Sequence, residues 1–310
     1  MVAQIQVQRS NRSMHHLRRY WLGYVFVSPW GVLYLIFGIY PLFLSFFLTF
    51  FNYAFATPET QSFVGIGNWL RGLTDPLFWK SLGNITYNQT IFIAAKNGIG
   101  LLLAVLLFRV RFGARLFRTI YFLPVLTSTV VLMSIGDNLA SPGGPIQRWL
   151  LENGWISELV YWKSEDLYPM LIIALINTWK WFGISTIILL AGMYSIDPRL
   201  HEAAQVDGAN AWQQFRHITL PLLRPQLFFL LVVDVINGLQ MFGEVLSIGF
   251  DVYGGINNQA LTPVLYLYAT AFGADERPNI GYASTLGVLL AILIAALTFL
   301  QFRFIRSDYD

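Results

Sequence analysis

Cysteine is absent from the 310 residues, which excludes disulfides, thiolate metal sites and cysteine nucleophiles. Charge is scarce: Asp, Glu, Lys and Arg make up 12% of the chain, against about 25% in an ordinary soluble domain. With 55% hydrophobic residues and a mean hydropathy of +0.54, the chain does not suit a water-exposed globule, and it is far too apolar for disorder. Histidine occurs only at 15, 16, 201 and 217, outside the apolar runs. An intramembrane Ser–His dyad or histidine metal site is therefore unavailable. No HExxH and no glycine-lysine phosphate loop occurs, so neither zinc hydrolysis nor ATP hydrolysis by those motifs is open to it. Internal repeats and low-complexity tracts are also missing. The net charge is only +3, and the basic residues flank apolar runs, where membrane topology explains them better than nucleic acid does.

Long apolar runs are what the chain does have. A membrane helix needs about 20 mainly apolar residues, and six stretches qualify: 21–51, 88–108, 119–140, 168–193, 219–246 and 281–302. The first is overlong and contains Pro29 and Pro41, so it is expected to tilt, kink or overrun the bilayer. It lacks a small-residue cleavage site and reads as a helix that stays rather than a signal peptide. Thirteen of the twenty Lys and Arg residues lie before span 1, between spans 2 and 3, between spans 4 and 5 or at the start of span 5 (Arg224), or after span 6; five lie in the opposite loops and Lys96 and Lys180 deep within spans. The positive-inside rule then places both termini in the cytoplasm. The division is a cytoplasmic segment 1–20, a membrane domain 21–306 and a cytoplasmic tail 307–310. The external loops 52–87, 141–167 and 247–280 carry turn residues and read as ordered caps. Tyr20, Trp21, Trp69 and Trp162, at span ends, read as interfacial anchors, and Asp137 as an interfacial carboxylate.

The most informative stretch is 195–221, between spans 4 and 5. Asp197-Pro198 is a good helix start, since the carboxylate can cap free amides and proline at the first helical position loses no hydrogen bond. Helix-favouring residues run to Val206, Gly208 offers a left-handed turn, and a second short helix is expected from Asn210 to about His217. Ala203-Ala204 lets another surface approach the backbone closely, with Glu202 and Asp207 beside it. Two readings of the residues stand: a rigid knob made for a partner's groove, or an amphipathic loop lying on the membrane.

Glu202-Ala203-Ala204, Asp207-Gly208-Ala209, Phe215, Ile218, Leu220-Pro221 and Pro225 together resemble the EAA loop of ABC importer permeases. Phe63 to Leu70, Thr74 to Trp79 and Asn84, then Gly254-Gly255, Thr262 to Tyr268, Ala271-Phe272 and Gly281 to Ser284 resemble carbohydrate permeases of the maltose and glycerol-phosphate type, over residues 20–306. The resemblance implies an all-α integral membrane protein of six transmembrane helices, the type I ABC importer transmembrane fold. It implies that Glu202, Ala203, Ala204, Asp207, Gly208, Ala209 and Phe215 form a coupling helix docked on an ATP-hydrolysing subunit. It further implies a second homologous permease, two ATPase subunits carrying ATP and Mg, and an extracytoplasmic substrate-binding protein. The chain itself would be a non-enzymatic, cofactor-free subunit of the bacterial inner membrane, importing a carbohydrate by alternating access.

Ionisable groups within spans are costly and read as functional by default. Asp234, Asn237, Gln240 and Glu244 fall within about 120° of one helical face if span 5 is a continuous helix. Span 4 carries Asn177, Trp179, Lys180 and Trp181, and span 2 carries Lys96 and Asn97. These residues read either as a polar, aromatic-lined path for a sugar, whose hydroxyls need partners and whose rings stack on aromatics, or as groups that pair with one another. Lys180 with Asp234 or Glu244 is the ion pair expected in the second case. A self-powered carrier is the rival class, but it has no use for a docking knob, and the repeated halves common in such folds are not found. Monosaccharide, disaccharide, oligosaccharide, glycerol phosphate and uronate all remain open as substrates.

Overall fold

The computed structural model describes residue 21 and residues 23–54, 61–109, 113–273 and 278–306. The expected cytoplasmic segments 1–20 and 307–310 lie outside these. Four helices are long and apolar enough to cross a membrane, and six when each of two sharply bent helix pairs counts as one span. The all-α expectation holds except for one two-stranded ribbon, in which β1 (Phe51–Asn52) pairs antiparallel with β2 (Ser62–Phe63).

Helix α1 (Gly23–Leu48) replaces the overlong first run. Pro41 has no N–H for the carbonyl of Phe37, and a π-helical stretch at Leu35–Ile39 takes up the defect immediately before it. None of the residues of α1 is buried, but its C-terminal part, Tyr40–Leu48, packs against the helix Ile280–Arg306. Its outer end is tied down: Asn68 donates to the carbonyls of Thr49 and Phe51, each at 3.0 Å, and Trp69 Nε1 donates to Thr49 at 3.2 Å. After β2 and α2 (Gly67–Thr74) comes α3 (Pro76–Arg109), which starts twelve residues before the run read from hydropathy. Residues 76–87 mix Lys80, Ser81 and Asn84 with apolar positions, so they are helical but not lipid-like.

The third span is broken. Helices α4 (Ala114–Leu126) and α5 (Thr129–Ala140) belong to a pair bent by 93°. Pro124 lies in the last turn of α4, and Ser128 is extended at the N-terminus of α5 with no side-chain cap. Helix α4 crosses α7 (Tyr168–Tyr194) closely, because Gly183 has no Cβ to collide with the carbonyl of Tyr121. Helix α6 (Pro145–Glu152) lies in the loop 141–167, and α7 matches the fourth expected span.

The fifth span is broken as well. Helix α8 (Pro198–Val206) leads into α9 (Ala211–Leu222), which bends by 57° into α10 (Arg224–Gly238). Helix α10 stops where Gly238 packs against the Gln89 amide with no room for a Cβ. The chain turns at Leu239 to Met241, and Thr262 Oγ1 donates to the freed Met241 carbonyl at 2.7 Å. Helix α11 (Gly243–Ser247) is separate. Then follow α12 (Pro263–Phe272) and α13 (Ile280–Arg306), the sixth span.

Helices α3 and α7 make the most extensive contact in the fold. Two apolar clusters lie along them. The outer one gathers Ile85, Met133, Ile173, Leu261, Leu265 and Tyr282 with their neighbours. The inner one gathers Ala104, Leu107, Leu189, Leu190, Leu223 and Leu230. Trp162, read as an anchor, is instead 2% exposed in the outer cluster, set edge-on to Phe250 with Lys163 beside it.

Candidate functional site

The loop between spans 4 and 5 is built by local sequence. Asp197 accepts from the Arg199 amide at 3.0 Å and starts α8 with Pro198 in the first turn. The helix ends in a Schellman turn: the Ala209 amide reaches the Ala204 carbonyl at 2.8 Å and the Gly208 amide the Gln205 carbonyl at 3.1 Å. Gly208 takes φ +79°, a conformation that costs other residues about 1–2 kcal/mol. Asn210 and Gln213 then form a reciprocal capping box, at 2.9 and 2.8 Å. The second helix does not stop at His217. It passes through a π turn at Phe215–Thr219 and continues to Leu222.

Glu202, Ala203, Asp207 and Gly208 are exposed, while Ala204, Ala209 and Phe215 are partly covered. Leu200, Val206 and Trp212 are exposed apolar side chains on the same loop, Val206 by 88%. Behind it, Val105, Phe108, Met193, Ile196 and Phe215 line a cavity of about 520 Å³ that joins the loop to the ends of α3 and α7. The loop is thus a rigid, uncovered projection continuous with a membrane helix.

Within the spans the expected single polar face does not form. Asp234 turns inward and pairs with Lys96, while Asn97 Nδ2 donates to its other oxygen at 3.1 Å and Ser185 donates to Asn97 Oδ1 at 2.8 Å. This buried network joins α3, α7 and α10 between the two apolar clusters. Asn237, near the end of α10, is exposed. Gln240 lies in the turn beyond it, exposed, with its amide on the Ile236 carbonyl at 2.8 Å. Glu244 sits on α11, off the α10 axis. The helix break is what separates the four.

The expected Lys180 partners are also corrected. Among the described residues Lys180 meets neither Asp234 nor Glu244. It donates to Thr129 Oγ1, the first residue of α5, and lies over the Trp181 ring. Asn177, one turn away on α7, is 4% exposed, and its Oδ1 has no hydrogen-bond partner among the described residues. Asp137 lies near the C-terminal end of α5 and pairs with Lys163 at 2.8 Å.

One external cluster was not foreseen. Asp75 Oδ1 accepts from the amides of Leu77 and Phe78, at 2.8 and 3.4 Å. Its Oδ2 accepts from Tyr266 at 2.6 Å and from Tyr282. Burial pushes the Asp75 carboxyl up, but the two tyrosines and two amides outweigh it and hold it below its ordinary value. The tyrosines lie 191 and 207 residues away, beyond any local motif.

The family model for the binding-protein-dependent transport system inner membrane component matches residues 96–307. The chain is 32% identical to the lactose transport system permease protein LacF of Rhizobium radiobacter, over 95% of this chain and 98% of that one. It is 30% identical to the arabinooligosaccharides transport system permease protein AraP of Halalkalibacterium halodurans, over 97% and 93%. The fold matches a chain of a bacterial ABC transporter involved in import of the acidic polysaccharide alginate, with a TM-score of 0.80, 24% identity and coverage of 96% and 99%. The protein is therefore a multi-pass inner-membrane permease subunit, a transport component and not an enzyme, and it belongs to the binding-protein-dependent transport system inner membrane component family.

Proposed function

We propose that this permease imports a carbohydrate, and that its 195–221 loop couples ATP hydrolysis on partner subunits to movement of the fifth span. The observation that carries the coupling reading is continuity. The doubly capped loop runs through α9 into α10, and α10 is lashed to α3 and α7 by the Lys96–Asp234 network. A displacement of the loop therefore reaches the middle of the membrane along two helices that meet at the 57° bend by Leu223. The relatives named for lactose and arabinooligosaccharides support the sugar substrate.

The partners in this reading are a second homologous permease, two ATPase subunits that hold ATP and Mg, and an extracytoplasmic binding protein. The apolar α1, with no buried surface in its central window, has room for a neighbouring permease against it. Asn237 and Gln240, exposed on the membrane portion of the chain, line the path with Asn177, Lys180 and Trp181. Glu244 borders it, and Asp234 acts as a positioning residue behind it. Both termini face the cytoplasm, in line with the distribution of Lys and Arg. ATP binding closes the ATPase pair, the coupling loop follows, and the path opens outward. Differential docking of the loop to two ATPase states supplies the coupling free energy.

Gentle detergent purification of the tagged chain tests the assembly. An ATPase and a second permease in fixed stoichiometry support it; a lone chain that transports sugar without ATP refutes it.

A further inference from the structure

Lys180 lies in the middle of α7, twelve residues from Tyr168 and fourteen from Tyr194, or about 18 and 21 Å from the two ends at 1.5 Å per residue. It is 5% exposed and has no carboxylate partner among the described residues. The acidic residues outside the described set, Glu59, Asp275, Glu276, Asp308 and Asp310, all fall outside the spans by sequence. Asp234 and Asp137 are taken by Lys96 and Lys163. At this depth lipid phosphates are out of reach as well. A cation held so deep in hydrocarbon without a counter-ion is costly.

What Lys180 does touch is the N-terminus of α5, a twelve-residue helix. No side chain caps that end. Its first amides have no intrahelical acceptor, and its dipole adds positive potential. The ammonium and the helix end therefore repel each other unless a negative group lies between them. An ammonium has three donors, and Thr129 uses one. Ser128 is exposed at the break and Thr129 is partly exposed, so two hydroxyls line the same spot. Asn177 adds an unsatisfied acceptor one turn away, which suits a sugar hydroxyl beside the charge.

We propose that Lys180 and the broken third span receive an oxyanion of the substrate, so the carried saccharide is acidic: a uronate or a sugar phosphate. This deepens the carbohydrate reading above and rests on it. The complete complex, with its ATPases, second permease and binding protein, is reconstituted in proteoliposomes. Uptake is measured for a panel of labelled uronates, sugar phosphates and neutral counterparts of each. Wild-type protein takes up an acidic member, and the uronate and phosphate arms tell the two sources of oxyanion apart. Lys180→Met lowers that uptake at least about tenfold, as expected for loss of a charge-assisted hydrogen bond, and Lys180→Arg restores part of it.

Uptake of a neutral sugar that Lys180→Met leaves unchanged overturns the proposal and leaves the carbohydrate reading standing. So does acidic uptake indifferent to Lys180→Met. Loss of the second permease from the Lys180→Met complex, regained with Lys180→Arg, assigns the counter-ion to the partner and also overturns it. If no saccharide of either kind is transported, the carbohydrate reading itself has failed.

Discussion

Removing one member of the Lys96–Asp234 pair should cost far more than removing both. The side chains are 5% and 7% exposed and sit between two apolar clusters, so each depends on the other for its charge. Asp234→Leu leaves the Lys96 ammonium without a carboxylate partner among the described residues, beside the Phe92 ring at 5.4 Å to its centre. It also frees the Asn97 amide from its 3.1 Å hydrogen bond. Breaking a buried pair this way costs about 3–5 kcal/mol, and a bare cation at the centre of a membrane helix costs a similar amount on insertion scales. The double variant Lys96→Met with Asp234→Leu removes both charges and refills the space with apolar atoms, and such replacements are often nearly neutral. The losses are therefore expected to be strongly non-additive, with the double variant losing less than either single. The assay is the temperature at which the purified permease complex loses its monodisperse gel-filtration peak, compared across wild type, both singles and the double. Each single should fall by several degrees and the double should recover most of the loss. Additive losses, with the double worse than either single, would refute the reasoning, and Asp234 would then belong to the open path first read from its spacing.

Gly208→Val should lower substrate-stimulated ATPase activity severalfold while the chain still inserts. Nothing lies within 4 Å of a Cβ there, so the effect comes from φ +79°, and Gly208→Asn should retain most activity because asparagine tolerates that region. Equal activity in the Val variant counts against the coupling role. Gly183→Leu drives a side chain into the Tyr121 carbonyl and should reduce the yield of folded protein by the cost of overpacking, about 1–3 kcal/mol or more; unchanged yield and melting would place α4 elsewhere. Asn237→Ala should change transport without changing assembly, and unaltered uptake kinetics would move Asn237 out of the path.

The connected parts of the sequence were the legible ones. The α8 start at Asp197-Pro198, the left-handed Gly208 and the α7 boundaries all follow from residues within a few positions of one another, where capping chemistry and hydropathy act. The breaks were not legible, because hydropathy averages over a window and does not register a bend. The run 119–140 is apolar on both sides of Thr127-Ser128-Thr129, three hydroxyl residues that a window average absorbs, and Pro124 alone does not distinguish a kink from a stop. The run 219–246 likewise reads as one helix. What ends α10 is the Gln89 amide against Gly238 and the Thr262 hydroxyl on Met241, both supplied by distant segments. Placing four polar residues on one face assumed an unbroken helix, and so put Asp234 on the same surface as Glu244. Lys96 and Asp234 were the other mid-span charges of opposite sign, and matching them by depth would have found the pair.

The external cluster shows how far such distant contacts govern the cap. Asp75 ends α2, starts α3 and holds Tyr266 of α12 and Tyr282 of α13, so one carboxylate fastens four helices. Its folded-state pKa is lowered, so its contribution is complete above the unfolded carboxylate value near 3.8 and is lost as pH falls through the lower folded value. At neutral pH the cap is therefore fully fastened, and acid loosens it only below the ordinary carboxylate value. Asp75→Asn removes the charge at every pH and leaves one oxygen to accept from groups that now use two. It should loosen the cap at neutral pH and abolish the acid-dependent step. Hydrogen exchange of the α12 amides, followed from pH 7 down to about pH 2 so that the series passes below the unfolded carboxylate value, reads both effects. Protection in wild type that stays level across that range and matches the variant would mean that Asp75 is a bystander, and that the cap is held by the apolar contacts of Leu261, Leu265 and Leu286 alone.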